Sequence, residues 1–121
     1  MSRIALLITG LVAAVAFAAP SAGVGMAPTK LTGVVGPGYT ITLKKRGVKV
    51  RTLKAGRYTI TVSDKSVEHN FRLKGRGVNK QVTGILFKGS KTVTVTLRKG
   101  KYTYQCDPHV LQAMVATFRV T

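Results

Sequence analysis

The chain has 121 residues, of which 45% are hydrophobic, and this length suits one domain with a single core rather than two domains. Lys and Arg number 20 against three Asp and Glu, which gives a formal net charge of +17. This charge favours acidic proteins, anionic lipids or acidic cell-surface polymers as partners and does not determine the fold. A single cysteine excludes a disulfide within the chain.

The first segment has the composition of a secretory signal peptide. Ser2-Arg3 supplies a positive start, residues 4–17 form an almost unbroken apolar run, and Ala16-Phe17-Ala18 has the small-x-small pattern of a cleavage site. We therefore expect residues 1–18 to be removed near Ala18 and the protein to be exported, to the periplasm or to the extracellular cell envelope. The run is shorter than the roughly 20 residues of a membrane-spanning helix, and a retained anchor is the alternative.

The remainder of the chain has the pattern of a β protein. Residues 19–30 are small and flexible in composition, and we predict a linker there that leads into one domain at residues 31–121. Apolar and polar residues alternate at 39–43, 58–62 and 92–97, in runs rich in Val, Ile, Thr and Tyr. Glycine-containing turns separate these runs. We predict an all-β, antiparallel Greek-key sandwich of seven to eight strands, since no convincing helical periodicity lies outside the first segment.

The same alternation predicts which side chains face the interior around the first histidine. One set is predicted to face inward: Val67, His69, Phe71 and Leu73. The intervening set is predicted to face water: Glu68, Asn70, Arg72 and Lys74. A lone inward histidine is usually a hydrogen-bonded core residue, so His69 alone indicates no ligand.

The segment from Cys106 to Met114 changes that interpretation. Tyr102, Tyr104 and Cys106 are predicted to face inward before the loop, and Met114, Ala116, Phe118 and Val120 after it. Cys106 by itself suits a small buried apolar residue, half of an intermolecular disulfide, or a metal-bound thiolate.

The scarce residue types favour the third of these alternatives. The chain contains one Cys, two His and three Met. Cys106, His109 and Met114 follow a Cys-x2-His-x4-Met spacing, and His69 is the second imidazole. Two imidazoles, a thiolate and a weak axial thioether are the donor set of a blue-copper site. We predict one copper ion here, and zinc would also accept these donors.

Three motifs give the chain a family resemblance: Gly56-x-Tyr58, Asp64-x-Ser66-Val67-x-His69-Asn70-Phe71, and Gly100-x-Tyr102-x-Tyr104-x-Cys106-Asp107-Pro108-His109-x4-Met114. Over residues 31–121 the chain resembles the cupredoxins, most closely the small plastocyanin-like and amicyanin-like proteins. The resemblance implies that His69, Cys106 and His109 are equatorial copper ligands and that Met114 is the axial ligand. It also implies outer-shell roles for two residues. Asn70 would tie the histidine loop to the cysteine loop and direct its N–H at the sulfur, and Pro108 would remove a second N–H donor.

The function that the resemblance implies is that of a one-electron carrier, which is not an enzyme. Copper capture or delivery without electron transfer is the alternative. A copper oxidase or reductase would need further centres with His-x-His pairs, which two histidines cannot supply.

Two departures from plastocyanin affect the expected partners. Gln105 stands where plastocyanin has a tyrosine, and the acidic patch of plant plastocyanins is missing. Electrons would then leave by the His109 edge, where Pro108, Val110 and Leu111 would form the docking surface. We expect a monomer whose redox partners have acidic docking surfaces and which associates loosely with an anionic membrane or cell wall. Export argues against nucleic acid as a partner.

Overall fold

The computed structural model describes residues 27–121, so the predicted signal peptide lies outside the described residues. This part of the chain is almost entirely β. Its ten strands are β1 (Thr29–Val35), β2 (Ile41–Lys45), β3 (Val48–Lys49), β4 (Thr52–Leu53), β5 (Gly56–Asp64), β6 (Phe71–Gly75), β7 (Val78–Thr83), β8 (Gly89–Leu97), β9 (Gly100–Gln105) and β10 (Val115–Val120). A 310 helix at Asp107–Gln112 joins β9 to β10.

The strands form two five-stranded sheets, in the orders β3-β2-β1-β5-β8 and β4-β10-β9-β6-β7. The two-sheet β-sandwich predicted from the sequence is confirmed. The number of strands exceeds the predicted seven to eight because the structure adds β3 and β4, which have only two residues each. A strand of two residues is too short to show an alternating pattern in the sequence. Among the described residues, no helix is both long enough and apolar enough to cross a membrane.

The prediction of purely antiparallel sheets is wrong at two pairings. β1 runs parallel to β5 from Thr29↔Tyr58 to Val35↔Asp64, and β10 runs parallel to β4. Parallel neighbours need a crossover between them, and here the chain passes through β2 and β3 of the same sheet and then β4 of the opposite sheet before it returns as β5. Periodicity along one strand contains no information on the direction of its neighbour.

The core lies between the sheets and is filled from alternate positions of the longer strands. Its largest fully buried side chains are Tyr102, Tyr104, Phe71, Leu31, Leu43, Ile60, Leu73, Leu97 and Met114. Phe71 stacks on Tyr104 with ring centroids 5.7 Å apart, and Tyr102 stacks on Phe118 at 5.4 Å. The burial of these core side chains removes large apolar areas from water, which is the main favourable contribution to the folding of a domain of this size.

Around His69 the predicted alternation is wrong at two positions. Residues 65–70 form a loop between β5 and β6 rather than the start of a strand, so the period of two does not apply. Val67, predicted to face inward, is 48% exposed, and Asn70, predicted to face water, is fully buried. His69 is buried as expected, and the alternation is regular from Phe71 onward.

The two ends of the sandwich differ in their connections. We call one the His69 end, which comprises the loops at 36–40, 65–70, 84–88 and 106–114. The opposite end, called the turn end, comprises the connections at 46–47, 54–55, 76–77 and 98–99, together with the start of β1. The nine residues of β5 run from one end to the other, which is about 27 Å at the usual strand rise of roughly 3 Å.

Candidate metal centre

The four side chains predicted as ligands all come from the His69 end. His69 lies in the loop before β6, and Cys106 immediately follows β9. His109 is part of the 310 helix, and Met114 directly precedes β10. His69, Cys106 and Met114 are buried and His109 is partly exposed, so one imidazole alone reaches solvent.

Three donor atoms converge on one point. The Nδ1 atoms of His69 and His109 are 2.9 Å apart. The Cys106 Sγ lies 3.7 Å from the first of these nitrogens and 3.4 Å from the second. The three atoms form a compact triangle with sides of 2.9, 3.4 and 3.7 Å.

This triangle has the size that a small transition-metal ion needs. A point equidistant from its corners lies about 2 Å from each, close to the usual bond lengths of imidazole nitrogen and thiolate sulfur to such a metal. Two imidazoles and a thiolate in a trigonal arrangement are the donors that blue-copper sites use. The residues present therefore fit one copper ion.

The loop that carries three of the four side chains is closed by its own backbone. The N–H of Cys106 donates to the Met114 carbonyl at 3.0 Å, and the N–H of Met114 donates to the His109 carbonyl at 3.2 Å. Ala113, with φ of 65°, turns the chain between the helix and β10. Cys106 and Met114 are thus held at the end of β9 and the start of β10, which are adjacent antiparallel strands, and both side chains face the interior.

The surroundings of the sulfur act on its pKa in both directions. Burial raises the pKa of the Cys106 thiol, while the backbone N–H groups of Asn70 and His109 lower it and the carboxylates of Asp107 and Asp64 raise it further. The net direction is upward. Metal binding must therefore displace a proton from a thiol that favours its neutral form, and the two N–H groups then stabilise the thiolate.

A network of hydrogen bonds joins the histidine loop to the cysteine loop. The Asp107 N–H donates to Asn70 Oδ1 at 2.7 Å, and Asn70 Nδ2 donates back to Asp107 Oδ2 at 2.8 Å. Arg72 Nε donates to the same carboxylate oxygen at 2.8 Å, and Gln105 Nε2 donates to the other oxygen at 2.9 Å. Burial by itself raises the pKa of Asp107, but the bonds from Arg72, Gln105 and Asn70 outweigh it and keep the pKa below its usual value.

Sequence reasoning missed three contributors to the site. Gly36 approaches the His69 ring so closely that a Cβ there would be 3.0 Å from Cδ2, and its φ is +71°. The Tyr39 ring lies 5.0 Å from that of His109, centroid to centroid, although Tyr39 is 60% exposed. Arg72 is predicted by the alternation only to face water, whereas in the structure it also bonds Asp107. The Gly36-Pro37-Gly38 turn was the one available signal, and it indicated a bend without indicating what the bend approaches.

Exposed apolar side chains surround the partly exposed His109. Pro108 and Val110 are exposed, and Leu111 is 97% exposed. Leu86, in the neighbouring 84–88 loop, is 80% exposed. Apolar area of this kind, collected at one end of a soluble domain, is typical of a contact surface.

Comparisons with known proteins agree with this geometry. A model of the copper-binding proteins of the plastocyanin/azurin family matches residues 41–121. No curated protein matches the chain significantly. Among solved structures, a methionine-to-glutamine mutant of rusticyanin is similar at a TM-score of 0.56, with 20% identity over 78% of this chain and 80% of that one. Rusticyanin from Thiobacillus ferrooxidans is similar at 0.52, with 22% identity over 78% and 79%.

Auracyanin B is similar at a TM-score of 0.56, with 20% identity over 81% of this chain and 93% of that one. These structural likenesses establish the fold, and the family model extends over two thirds of the chain and includes the three donor residues. The chain therefore belongs to the plastocyanin/azurin family of copper-binding proteins, the cupredoxins, and its cofactor is one type 1 copper ion.

Proposed function

We propose that this protein is an exported one-electron carrier. The observation that supports the proposal best is the combination of a buried, pre-formed donor triangle with one partly exposed imidazole at its edge. A carrier needs a site that changes little on gaining or losing an electron and a short route from that site to a partner. A rigid site in the interior and an accessible His109 ring together meet both needs.

The proposed ligands are the Nδ1 atoms of His69 and His109, the Sγ of Cys106 and, as a weak axial donor, the thioether of Met114. Copper bound there would supply the reversible change between Cu(I) and Cu(II), which sulfur and imidazole donors both tolerate. Phe71 and Tyr104, which precede or follow the ligand-bearing loops by one or two residues, are fully buried and stacked on each other. Asn70 is proposed to fix the distance between the two ligand loops, and Pro108 to leave the sulfur without a further N–H donor.

The docking surface is proposed to be the apolar rim of Pro108, Val110 and Leu111 around His109. A redox protein that presents a complementary apolar area would bring its own centre closest to this imidazole edge. The acidic partner surfaces expected from the net charge are not favoured at the rim itself, because the 106–114 loop contains Asp107 and no Lys or Arg. We propose a monomer that is exported to the periplasm or the cell envelope, in keeping with the sequence of residues 1–18.

The visible spectrum of the Cu(II)-loaded protein tests the ligand set. We expect an intense thiolate-to-copper band. Cys106→Ser should abolish the band, and Met114→Leu should keep it and shift the reduction potential. A colourless or weakly absorbing Cu(II) protein would contradict the proposed site, and loss of copper by the methionine variant would contradict an axial role. Zinc bound during expression is removed before loading, since the same donors accept it.

Electron exchange with a redox partner tests the rim and separates a carrier from a copper capture protein. We expect Leu111→Asp to slow exchange by about tenfold or more, because it places a charge in an apolar contact that excludes water. Val48→Asp is the matched control, since Val48 is also an exposed apolar residue but lies beside the turn at 46–47, at the opposite end. Equal effects of the two variants would contradict docking at the rim. Slow exchange by the blue, unmodified protein would favour copper capture instead.

A further inference from the structure

Positive charge is concentrated at the turn end of the sandwich. All Lys and Arg residues except Arg3, and all three acidic residues, belong to the described part of the chain. Each connection at the turn end carries at least one cation. We call the following residues, from these connections and the adjoining strand ends, the basic end: Lys30, Lys45, Arg46, Lys54, Arg57, Arg76, Arg98, Lys99, Lys101 and Arg119.

The acidic residues occupy the other end of the molecule. Asp64 ends β5 at the His69 end, and Glu68 and Asp107 lie in the loops there. Asp107 pairs with Arg72 at 2.8 Å. The basic end therefore has no Asp or Glu side chain within it, although like charges so placed repel each other. Such an arrangement is understandable if an anionic surface neutralises it.

The basic end is too far from the copper site to guide a partner onto His109. The two ends are about 27 Å apart along β5, whereas the Debye length is about 8 Å at physiological ionic strength. A partner bound through its acidic groups to the basic end would keep its redox centre far from the donor triangle. The charge must therefore act on something other than the electron-transfer contact.

Two clefts at the basic end have the chemistry of phosphate sites. One, of about 800 Å³, lies beside the start of β1 and is lined by Lys45, Lys54 and Arg57 together with the hydroxyl-bearing Thr52. The other, of about 540 Å³, is lined by Arg76, Lys80 and Arg98. Each is lined by three cationic side chains and by no Asp or Glu, and Thr121 also lines the first cleft. Lys and Arg donors bind phosphate oxygens strongly, and two clefts on different sides suit an extended array of phosphates better than a single anion.

The path of the chain indicates which anionic surface this is. The fold begins with Thr29 at the turn end, so residues 1–28 reach the domain there. Those residues include the apolar run at 4–17, which has the composition of a membrane-directed segment. The ten residues at 19–28 span at most about 35 Å. As long as the apolar run at 4–17 remains in the membrane, the basic end is therefore the part of the domain that lies nearest to it.

We propose that the basic end binds the phosphate headgroups of an anionic phospholipid bilayer and holds the His69 end away from the membrane, where partners can reach it. This goes beyond the proposed carrier function and does not depend on it, because binding involves neither the copper ligands nor the apolar rim. The carrier would then remain at the membrane surface with its redox-active end exposed.

Co-sedimentation with lipid vesicles tests the proposal. The full-length gene is expressed, and the protein is purified in the form that cells release and mixed with vesicles of phosphatidylcholine alone or with 30% phosphatidylglycerol. The substitution set K54Q, K99Q and K101Q removes three exposed lysines from the basic end. The set K65Q, K88Q and K91Q removes three exposed lysines nearer the His69 end and is the matched control. Both sets lower the net charge equally.

We expect binding to the anionic vesicles only, and a fall of about a hundredfold with the first set, since each lysine at an anionic bilayer strengthens binding roughly fivefold. The control set should change binding less than about threefold. Equal losses from both sets would overturn the proposal, because the net charge alone would then act. Binding that neither set weakens would overturn it in favour of a retained N-terminal anchor. Binding to soluble polygalacturonate without binding to vesicles would overturn it in favour of an acidic polymer.

The proposed orientation has a separate readout. Copper-loaded protein that has been reduced to Cu(I) and bound to anionic vesicles should pass its electron to a small uncharged soluble oxidant within about twofold of the rate in free solution. A rate that falls tenfold or more on vesicle binding would mean that the His69 end faces the bilayer, and it would overturn the orientation. A protein that binds no copper would still show the charge dependence in co-sedimentation, so the two proposals fail separately.

Discussion

Two tyrosines on one strand give a sharp test of how the core is stabilised. Tyr102 and Tyr104 are both fully buried on the inward face of β9. The Tyr102 hydroxyl accepts a hydrogen bond from the Arg98 N–H and donates one to the Arg98 carbonyl, each at 2.9 Å. The Tyr104 hydroxyl has no hydrogen-bond partner among the described residues. The substitution Tyr→Phe removes the same atom at both positions, so its effect reports the hydrogen bonds alone.

The expected effects have opposite signs. Tyr102→Phe removes two hydrogen bonds worth about 1 kcal/mol each, so the free energy of unfolding should fall by about 2 kcal/mol. In a domain of this size the melting temperature should then fall by about 8–16 °C. Burial raises the pKa of Tyr104, and the nearby Leu43 backbone offsets only part of that rise without reaching hydrogen-bonding geometry. Tyr104→Phe removes an unsatisfied buried hydroxyl and should stabilise the protein by up to about 1 kcal/mol.

Unfolding in guanidinium chloride, followed by circular dichroism on the copper-free, reduced protein, measures both changes. Copper is left out because a bound metal adds its own binding free energy to the stability. Equal denaturant dependence of the three proteins would show that the variants unfold the same structure. If Tyr104→Phe destabilises the protein as much as Tyr102→Phe does, the Tyr104 hydroxyl has a partner such as a buried water, and the reasoning is refuted.

Two further predictions concern the copper site. Gly36→Ala should destabilise the protein by more than Gly38→Ala, because both glycines have φ above +70° but only Gly36 would place a Cβ against the His69 ring. Unfolding curves measure the difference, and a change in the copper band is expected for the first variant alone; identical effects would refute the close contact. Asn70→Ala should lower stability by about 2–3 kcal/mol through its lost bonds to Asp107, yet keep the copper band, because the backbone N–H directed at the sulfur remains. Loss of the band at full copper occupancy would show that the side chain itself is needed to form the site.

The alternation of apolar and polar residues predicted the strands next to the cysteine loop correctly. Along β9 and β10 the predicted inward residues Tyr102, Tyr104, Met114 and Phe118 are buried. These strands have one face on the core and one face toward water, which is the condition under which a period of two is visible in a sequence. His69, which the same pattern predicted to face inward, is also buried, although it lies in a loop to which a period of two does not apply.

The prediction for the loop before β6 was wrong for a physical reason. Asn70 is buried because its side chain bonds Asp107, which is 37 residues away in sequence. The sequence does not distinguish an asparagine that is buried and fully hydrogen-bonded from an asparagine that faces water. Only the tertiary structure shows that Arg72 and Gln105 complete this network, so their positioning role was not accessible from composition or spacing.

The sequence gives the net charge of the protein, but it does not show where the charged residues lie in the fold. The basic residues are spread over most of the domain's sequence, and nothing in their order shows that four separate turns meet at one end. The directions of β1 and β5 decide this, because their parallel pairing places the start of both strands, Thr29 and Gly56, at the turn end. The net charge alone therefore predicted partners with acidic docking surfaces, but it could not predict at which end of the domain such partners would bind.

The separation of apolar rim and basic end would resolve a conflict between two requirements on the proposed exported carrier. Electron transfer needs a contact that forms and breaks rapidly, which a weakly charged apolar rim allows and a strong ionic contact would hinder. Remaining near a membrane needs strong attraction, which many cations supply. If both groups of residues shared one face, lipid would compete with the redox partner for His109. Because the β-sandwich carries them at opposite ends, about 27 Å apart by the length of β5, the proposed carrier could stay bound to the bilayer while its imidazole edge remained free.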